Sequence, residues 1–487
     1  MDGADVPVSD APNPNDSKSA SFSARARQRL KKIGAIIASV GAIGAVIGGL
    51  AGYWRTWDIV YSHVGGDHTK IAKPTALIFS SGPSVAVLPI SNPVKSMALD
   101  PIADAMTQQL VSSLGRFSLL RVIPRTTTAN FLKQGDPIEK PRGAGVDYLV
   151  TGEVRPLREG ARANIQIADL RSGVEVWSKS FDATAEGVQT GTDAYEIGDI
   201  AAAQINSAIE TGEYKKIQNK PVAELKSYEC IIQARVGGLI GSHATGLRAL
   251  ECSKRLIETD PNNPYSWAVR SGVLVSQRLF GFGLGPDQVQ HVDKRLYLNE
   301  EIVRAATRAV ELAPDEAGVR RTYAQAMATM CQVDVYRQEV QKAVALNPND
   351  PFTLGSLGVP LAYMGDWDDG AALAEKAIRL AGPNASYVWW LGPATRHWWR
   401  GEYQQALEDF RYAYAYVDGL GISEFGQAYT LPFLGRIDEA KALVAKLLKR
   451  RPDFTIREAD AIHRMYCLSP EYIDRMNGAL RQAGLPE

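Results

Sequence analysis

The hydrophobic pattern divides the chain into stretches of different texture. Residues 1–24 are rich in Ser, Pro, Asp and Ala without apolar periodicity, and with the cationic stretch to residue 32 they read as a disordered tail. Residues 33–54 form an unbroken, uncharged, largely apolar run of 22, behind Arg25, Arg27, Arg29, Lys31 and Lys32, closing on Tyr53 and Trp54 with Trp57 and Tyr61 just beyond. At about 1.5 Å per residue such a run crosses a ~30 Å hydrocarbon core, and the aromatic residues suit the far interface. A cleaved signal peptide has a shorter core ending in small residues; the aromatic exit and the length favour a single transmembrane helix. Five cations precede the run and three (Arg55, Lys70, Lys73) follow it closely, so the positive-inside rule expects the N-terminus in the cytoplasm and the bulk across the membrane. Gly44, Gly48 and Gly52 recur every fourth residue, the spacing of a close helix–helix face and hence of a homodimer, although glycine is also common in membrane helices for its own sake. Residues 55–79 read as a linker.

From 80 to 215 strand and helix patterns alternate. Val85–Ile90 is a short apolar run between Gly-Pro and Asn-Pro, the pattern of a buried strand. Pro101–Phe117 has apolar residues at helical spacing, with Ile102, Met106, Leu110 and Leu114 on one face. Leu119–Ile123 and Tyr148–Val154 read as strands, and Thr126–Lys133 as a short helix. Alternation in Ala163–Leu170 and Val174–Phe181 around Arg171-Ser172-Gly173 signals a hairpin. A helix from about Asp193 to Glu210 follows. This order, β-α-β-α-β-β-β-α, suits one mixed sheet covered by helices.

From 222 to 487 the period changes. Pro261, Pro314, Pro348, Pro383 and Pro452 mark helix-ending turns at spacings of 53, 34, 35 and 69 residues. The last spacing is two periods, with Asp418 near the intervening turn, and the first is one period plus an insertion at about residues 279–294. A 34-residue period is that of tetratricopeptide repeats. Ala406 and Ala413 stand two helical turns apart, and Ala309, Ala343, Ala377 and Ala440 take matching places in other repeats. Six repeats and a terminal helix over about Phe454–Ala483 are expected. The predicted class is α+β followed by all-α, with one transmembrane helix, a mixed-sheet domain and a repeat solenoid.

The blocks VAVLPISNP, PIADAMTQQLVSSLGRFSLLRVIPRTTTANFLK, GVDYLVTGEVR and IQIADLRSGVEVWSKSFD resemble the TolB-like N-terminal domain, over roughly residues 84–235. That module is similar to the extracytoplasmic half of class III adenylate cyclases and of CadC-like membrane regulators. The resemblance implies a bacterial inner-membrane protein with periplasmic bulk. Such proteins carry a cyclase or winged-helix output domain before the membrane helix, whereas 32 residues precede it here. A name taken from a cyclase is therefore expected to reflect the sensor half alone.

Charge and chemistry narrow the function. Lys and Arg total 54 against 54 Asp and Glu, which argues against nucleic acid as a partner. Six His and four Cys without a C-x-x-C pair give no zinc module, and no nucleotide loop or supported Ser/His/Asp set is present, so neither an enzyme nor a cofactor is expected. Phasing on the alanines, which leans on the repeat resemblance, turns Phe352, Tyr363, Trp398, Trp399, Phe425, Tyr429 and Phe433 toward an aromatic groove suited to a protein or peptide partner; packing between helices is the other reading. His397 is expected in the core. Cys230 and Cys252 lie symmetrically about a Gly-rich turn and either form a disulfide or act as small buried residues, while Cys331 and Cys467 show no evident partner. The favoured reading is a membrane-anchored periplasmic interaction scaffold. The alternative is a sensory or regulatory subunit signalling across the inner membrane to a cyclase or transcription factor.

Overall fold

The apolar run at Ser84 becomes β1 (Ser84–Val87), buried along its whole length because sheet neighbours flank it on both sides. With β2 (Arg121–Val122), β3 (Tyr148–Pro156), β4 (Ala161–Asp169) and β5 (Val174–Ala183) it forms a five-stranded sheet of order β2-β1-β3-β4-β5. β1 runs parallel to β2 and β3, and β3, β4 and β5 form an antiparallel meander. Along β4, Ala161, Ala163, Ile165 and Ile167 point to one buried face. Gly173 closes the β4–β5 turn at φ 72°, a left-handed backbone that glycine takes without steric cost.

The sheet's core face is covered by α1 (Asp100–Leu114), through Met106, Leu110 and Leu114. The short helices α2 (Arg125–Lys133), α3 (Glu139–Gly143) and α4 (Ala185–Thr190) connect the strands to α5 (Thr192–Ile217), which packs on α1 with Ile197, Ala201, Ile205 and Ile209. This computed structural model describes residues 82–133, 137–240, 242–285, 288, 291–414 and 424–487, all within one compact unit.

Antiparallel helix pairs follow. They are α6 (Ser227–Ile240) with α7 (His243–Thr259), α8 (Pro264–Phe280) with α9 (Leu298–Leu312), and α10 (Ala317–Thr329) with α11 (Val333–Leu346). The next are α12 (Pro351–Tyr363) with α13 (Trp367–Ala381), α14 (Leu391–Trp399) with α15 (Tyr403–Tyr414), and α16 (Phe425–Thr430) with α17 (Ile437–Arg450). The turns before α8 and α12 cap those helices: Asn263 and Asp350 accept from the backbone two residues on, with Pro264 and Pro351 in the first turn. Ala309, Ala343, Ala377, Ala406 and Ala440 are fully buried where helices meet. Between α12 and α13 the approach is closest: a Cβ on Gly358 would stand 2.6 Å from the Gly370 carbonyl, so only glycine fits there.

Three expectations are corrected. The class with a transmembrane helix does not stand: the described residues are mostly helical with a small five-stranded mixed sheet, and none of their helices is long and apolar enough to cross a membrane. The longest, α5, carries Asp193, Glu196, Asp199, Glu210, Glu213, Lys215 and Lys216. The run 33–54 and the glycines Gly44, Gly48 and Gly52 lie outside the described residues, and half of that run is Gly or Ala, which supply little of the transfer energy that drives insertion. The inner-membrane location with periplasmic bulk, inferred from that run, falls with it. Third, the terminal segment is a hairpin of two helices, α18 (Ile456–Met465) and α19 (Pro470–Gln482), because Cys467 turns the chain at φ 58° and Ser469-Pro470 caps and restarts it.

Candidate functional site

The first helices of the repeats, α8, α10, α12 and α14, present their two ends to two different parts of the same chain. At their N-terminal ends stand α5 and the turn after α1. Ser118 bonds Tyr265 and donates to Glu316 (2.6 Å), Asn347 donates to the Arg116 carbonyl (3.1 Å), and Gln204 donates to the Leu380 carbonyl (3.2 Å). Leu354, Ala377 and Trp389 pack around Ala203 of α5. In the middle of this junction Arg235 donates to Glu210 at 3.1 Å and lies 3.7 Å from Asp350. Burial raises the Glu210 pKa, and the Arg235 charge works against that rise. Phe352 lies between Arg235 and Arg321, its centroid 5.0 and 4.3 Å from their guanidinium carbons. Burial, with the neighbouring Arg235 charge, lowers the Arg321 pKa to about 10.

At the C-terminal ends of the same helices lies the α18–α19 hairpin. Cys467 is bonded to Cys331, with Cα atoms 5.6 Å apart, and the Ser469 amide donates to the Tyr363 carbonyl at 3.2 Å. Arg278, at the end of α8 and only 2% exposed, points its guanidinium at the Met465 and Thr329 carbonyls, both at 3.5 Å. Those carbonyls end α18 and α10, so two helix C-termini meet one cation. Burial lowers the Arg278 pKa to about 10. Arg295 donates to the Arg278 and Leu279 carbonyls, both at 2.9 Å, and so caps α8 itself.

The aromatic residues expected in an open groove are placed by this hairpin. Trp398, Phe425 and Tyr429 are buried (0%, 2% and 5% exposed), because the hairpin supplies the apolar cover. Trp398 meets Tyr472 of α19 at 4.4 Å between centroids, Tyr429 at 5.3 Å and Phe433 at 5.4 Å. Trp399 stacks on Trp367 at 4.8 Å, and Tyr363 meets Tyr466 edge-on at 5.9 Å. Phe425 stacks on His463 at 5.0 Å. Phe433 alone of the seven reaches the surface substantially, at 37% exposure, stacked on Tyr403 at 4.6 Å. Phe352 belongs to the other junction. The seven thus do not line one surface.

Burial lowers the His463 pKa to about 3, with the Ala459 backbone and the Asp460 charge opposing it. The unfolded chain takes up that proton first, so stability is present above about pH 6.5 and is lost as pH falls toward 3. Urea unfolding should lose up to ~1.4 kcal/mol per pH unit in that window, and His463→Gln should flatten the slope.

Other charged groups are internally matched. Asp169, Arg171, Glu213, Lys216 and Tyr148 form one network; burial raises the Asp169 pKa, but hydrogen bonds from Arg171 and Lys216 outweigh it and hold the carboxyl at about 2. His397 bonds Asp409 at 2.6 Å and ties α14 to α15, while Lys446 and Arg450 pair with Glu424. Cys230 and Cys252 are disulfide-bonded, with Cα atoms 5.2 Å apart, joining α6 to α7. Among the described residues no group of three or more His, Cys, Asp or Glu is placed to hold a metal ion. Sequence reasoning missed Tyr472, Arg475, Arg278 and the Cys331–Cys467 bond. Only Ser469-Pro470, as the start of a second terminal helix, could have signalled the hairpin.

No protein-family model matches the chain. A 184-residue stretch, 37% of this chain, is 26% identical to the putative adenylate cyclase 3 of Rhizobium meliloti (strain 1021) and spans only 30% of that protein's length. Among solved structures, the TolB protein of Acinetobacter baumannii is similar over 26% of this chain and 28% of its own, at 19% identity and TM-score 0.20. A tetratricopeptide repeat protein of Parabacteroides merdae ATCC 43184 is similar over 50% and 93%, at 14% identity and TM-score 0.30. Yeast Tom70 is similar over 76% and 81%, at 14% identity and TM-score 0.29. TM-scores this low carry no argument of their own; it is the paired helices and their period that make the array tetratricopeptide-like.

Proposed function

We propose that this protein is a non-catalytic interaction scaffold that takes a protein partner on its fifth and sixth repeats, where Phe433 and Tyr403 open the aromatic cluster to the surface. The observation that carries the reading is the 37% exposure of Phe433 at the rim of a cluster whose centre, Trp398 and Tyr429, is covered by the chain's own hairpin. A large apolar ring left partly open at such a rim is what a docking site needs, while its other face packs on Trp398 and Tyr403. We read the α/β part as a TolB-like module whose α5 braces the array.

The test replaces Phe433 in the full chain with a photo-crosslinking phenylalanine analogue and analyses adducts formed in cells. One reproducible protein adduct, absent when the analogue stands at Met97 (89% exposed, on the α/β part), is the expected result. No adduct, or the same adducts from both positions, would contradict the reading. A second reading, a regulatory subunit for a separately encoded cyclase, is supported by the match to a protein named a putative adenylate cyclase. A cyclase as the crosslinked protein would favour it.

A further inference from the structure

Arg475 of α19 has an unusual environment for a cation. Its guanidinium carbon lies 4.9 Å from the ring centroid of Trp398, 5.1 Å from Phe433, 5.6 Å from Tyr403 and 5.9 Å from Trp399. Its polar contacts are the Trp399 carbonyl at 3.2 Å and the Tyr403 hydroxyl, and among the described residues no carboxylate pairs with it. Four aromatic faces and a carbonyl select a delocalised, weakly hydrated cation, which describes guanidinium better than ammonium. One helical turn earlier, Tyr472 inserts between Trp398 and Trp367. Residues three apart share a helix face, so α19 reads as a ligand helix docked on the array.

We propose that Trp398, Trp399, Tyr403 and Phe433 form a guanidinium-recognition cage which Arg475 fills in cis, and that a partner helix carrying tyrosine and arginine three residues apart takes its place. This rests on the scaffold reading and names the partner's chemistry. The cis helix is tied down by the Cys331–Cys467 bond. Cys331 is exposed, and both half-cystines have positive φ (49° and 58°), a backbone that side-chain-bearing residues seldom adopt. A dithiol reductant opens the tie: its thiolate attacks the Cys331 sulfur, Cys467 leaves as a thiolate and is protonated, and the second thiol resolves the mixed disulfide. Two electrons pass from the dithiol, which becomes a disulfide, to the cystine, which becomes two thiols. The freed hairpin then competes with the partner on equal chemistry.

The test measures binding of a fluorescein-labelled synthetic peptide of residues 454–487 to the full chain. The oxidised chain should not bind it; the dithiothreitol-reduced chain and the Cys331→Ser chain should. The Cys331→Ser variant separates this bond from Cys230–Cys252, and the reduced wild-type chain covers any folding defect of the variant. Adding Arg475→Ala to the Cys331→Ser chain should tighten peptide binding at least tenfold by removing the cis competitor. Arg475→Ala in the peptide should weaken it at least tenfold, and Arg475→Lys should weaken it less. Equal binding by the oxidised and reduced chains, or indifference to Arg475 in the peptide, would overturn the proposal. Should Phe433 crosslink a partner while these arms fail, the scaffold reading stands and the cage does not.

Discussion

Trp398→Ala should destabilise the chain by about 3–5 kcal/mol, the range for truncating a buried tryptophan. Trp398 has no solvent exposure and touches Tyr403, Tyr429, Phe433, Tyr472 and Arg475. Its removal opens a cavity beneath the hairpin and takes away the ring that both Tyr472 and Arg475 use. Urea unfolding followed by near-ultraviolet circular dichroism should show the midpoint lowered, with the aromatic signal of the hairpin lost first. Trp399→Ala should cost less, since its ring is only partly buried, stacking on Trp367 at 4.8 Å with Tyr472 and Arg475 farther off. A pair of tryptophan variants is therefore a poor probe of partner binding, because one member reports folding.

Arg235→Leu should cost a similar ~3–5 kcal/mol, by a different route: Glu210 and Asp350 would be left as buried carboxylates without their cation. Phe352 would also lose one of its two guanidinium neighbours. The loss should shrink at acid pH, because Glu210, its pKa already raised by burial, would take up a proton once Arg235 is gone. Adding Glu210→Gln should restore part of the stability. Thermal unfolding of the two variants at pH 5 and pH 8 checks both the size and the sign.

Much of the local order is legible in the sequence and the long-range order is not. The alternation in β4, the helical spacing of Met106, Leu110 and Leu114, and the alanines at 34-residue spacing are short-range signals that burial in the folded chain uses directly. The cover on the aromatic cluster is set by contacts far apart in sequence. Tyr472 reaches Trp398, and Cys467 reaches Cys331 across 136 residues. No periodicity encodes that closure, so aromatic residues that pattern as groove-lining are sealed by a helix read as an end cap. Phe352 fails for a similar reason: its partners, Arg235 and Arg321, come from two other repeats. Residues 33–54, where the lack of charge suggests a membrane span although half of the run is Gly or Ala, lie outside the described residues.

The central claim is that the chain's own C-terminal hairpin occupies the aromatic end of the array. Hydrogen–deuterium exchange on the full oxidised chain tests it directly. Amides of Ile473–Leu480 should be protected to the same degree as those of Leu391–Trp399, and the two segments should lose protection together when Tyr472 is replaced by alanine. Exchange of Ile473–Leu480 within seconds while Leu391–Trp399 stays protected would contradict it.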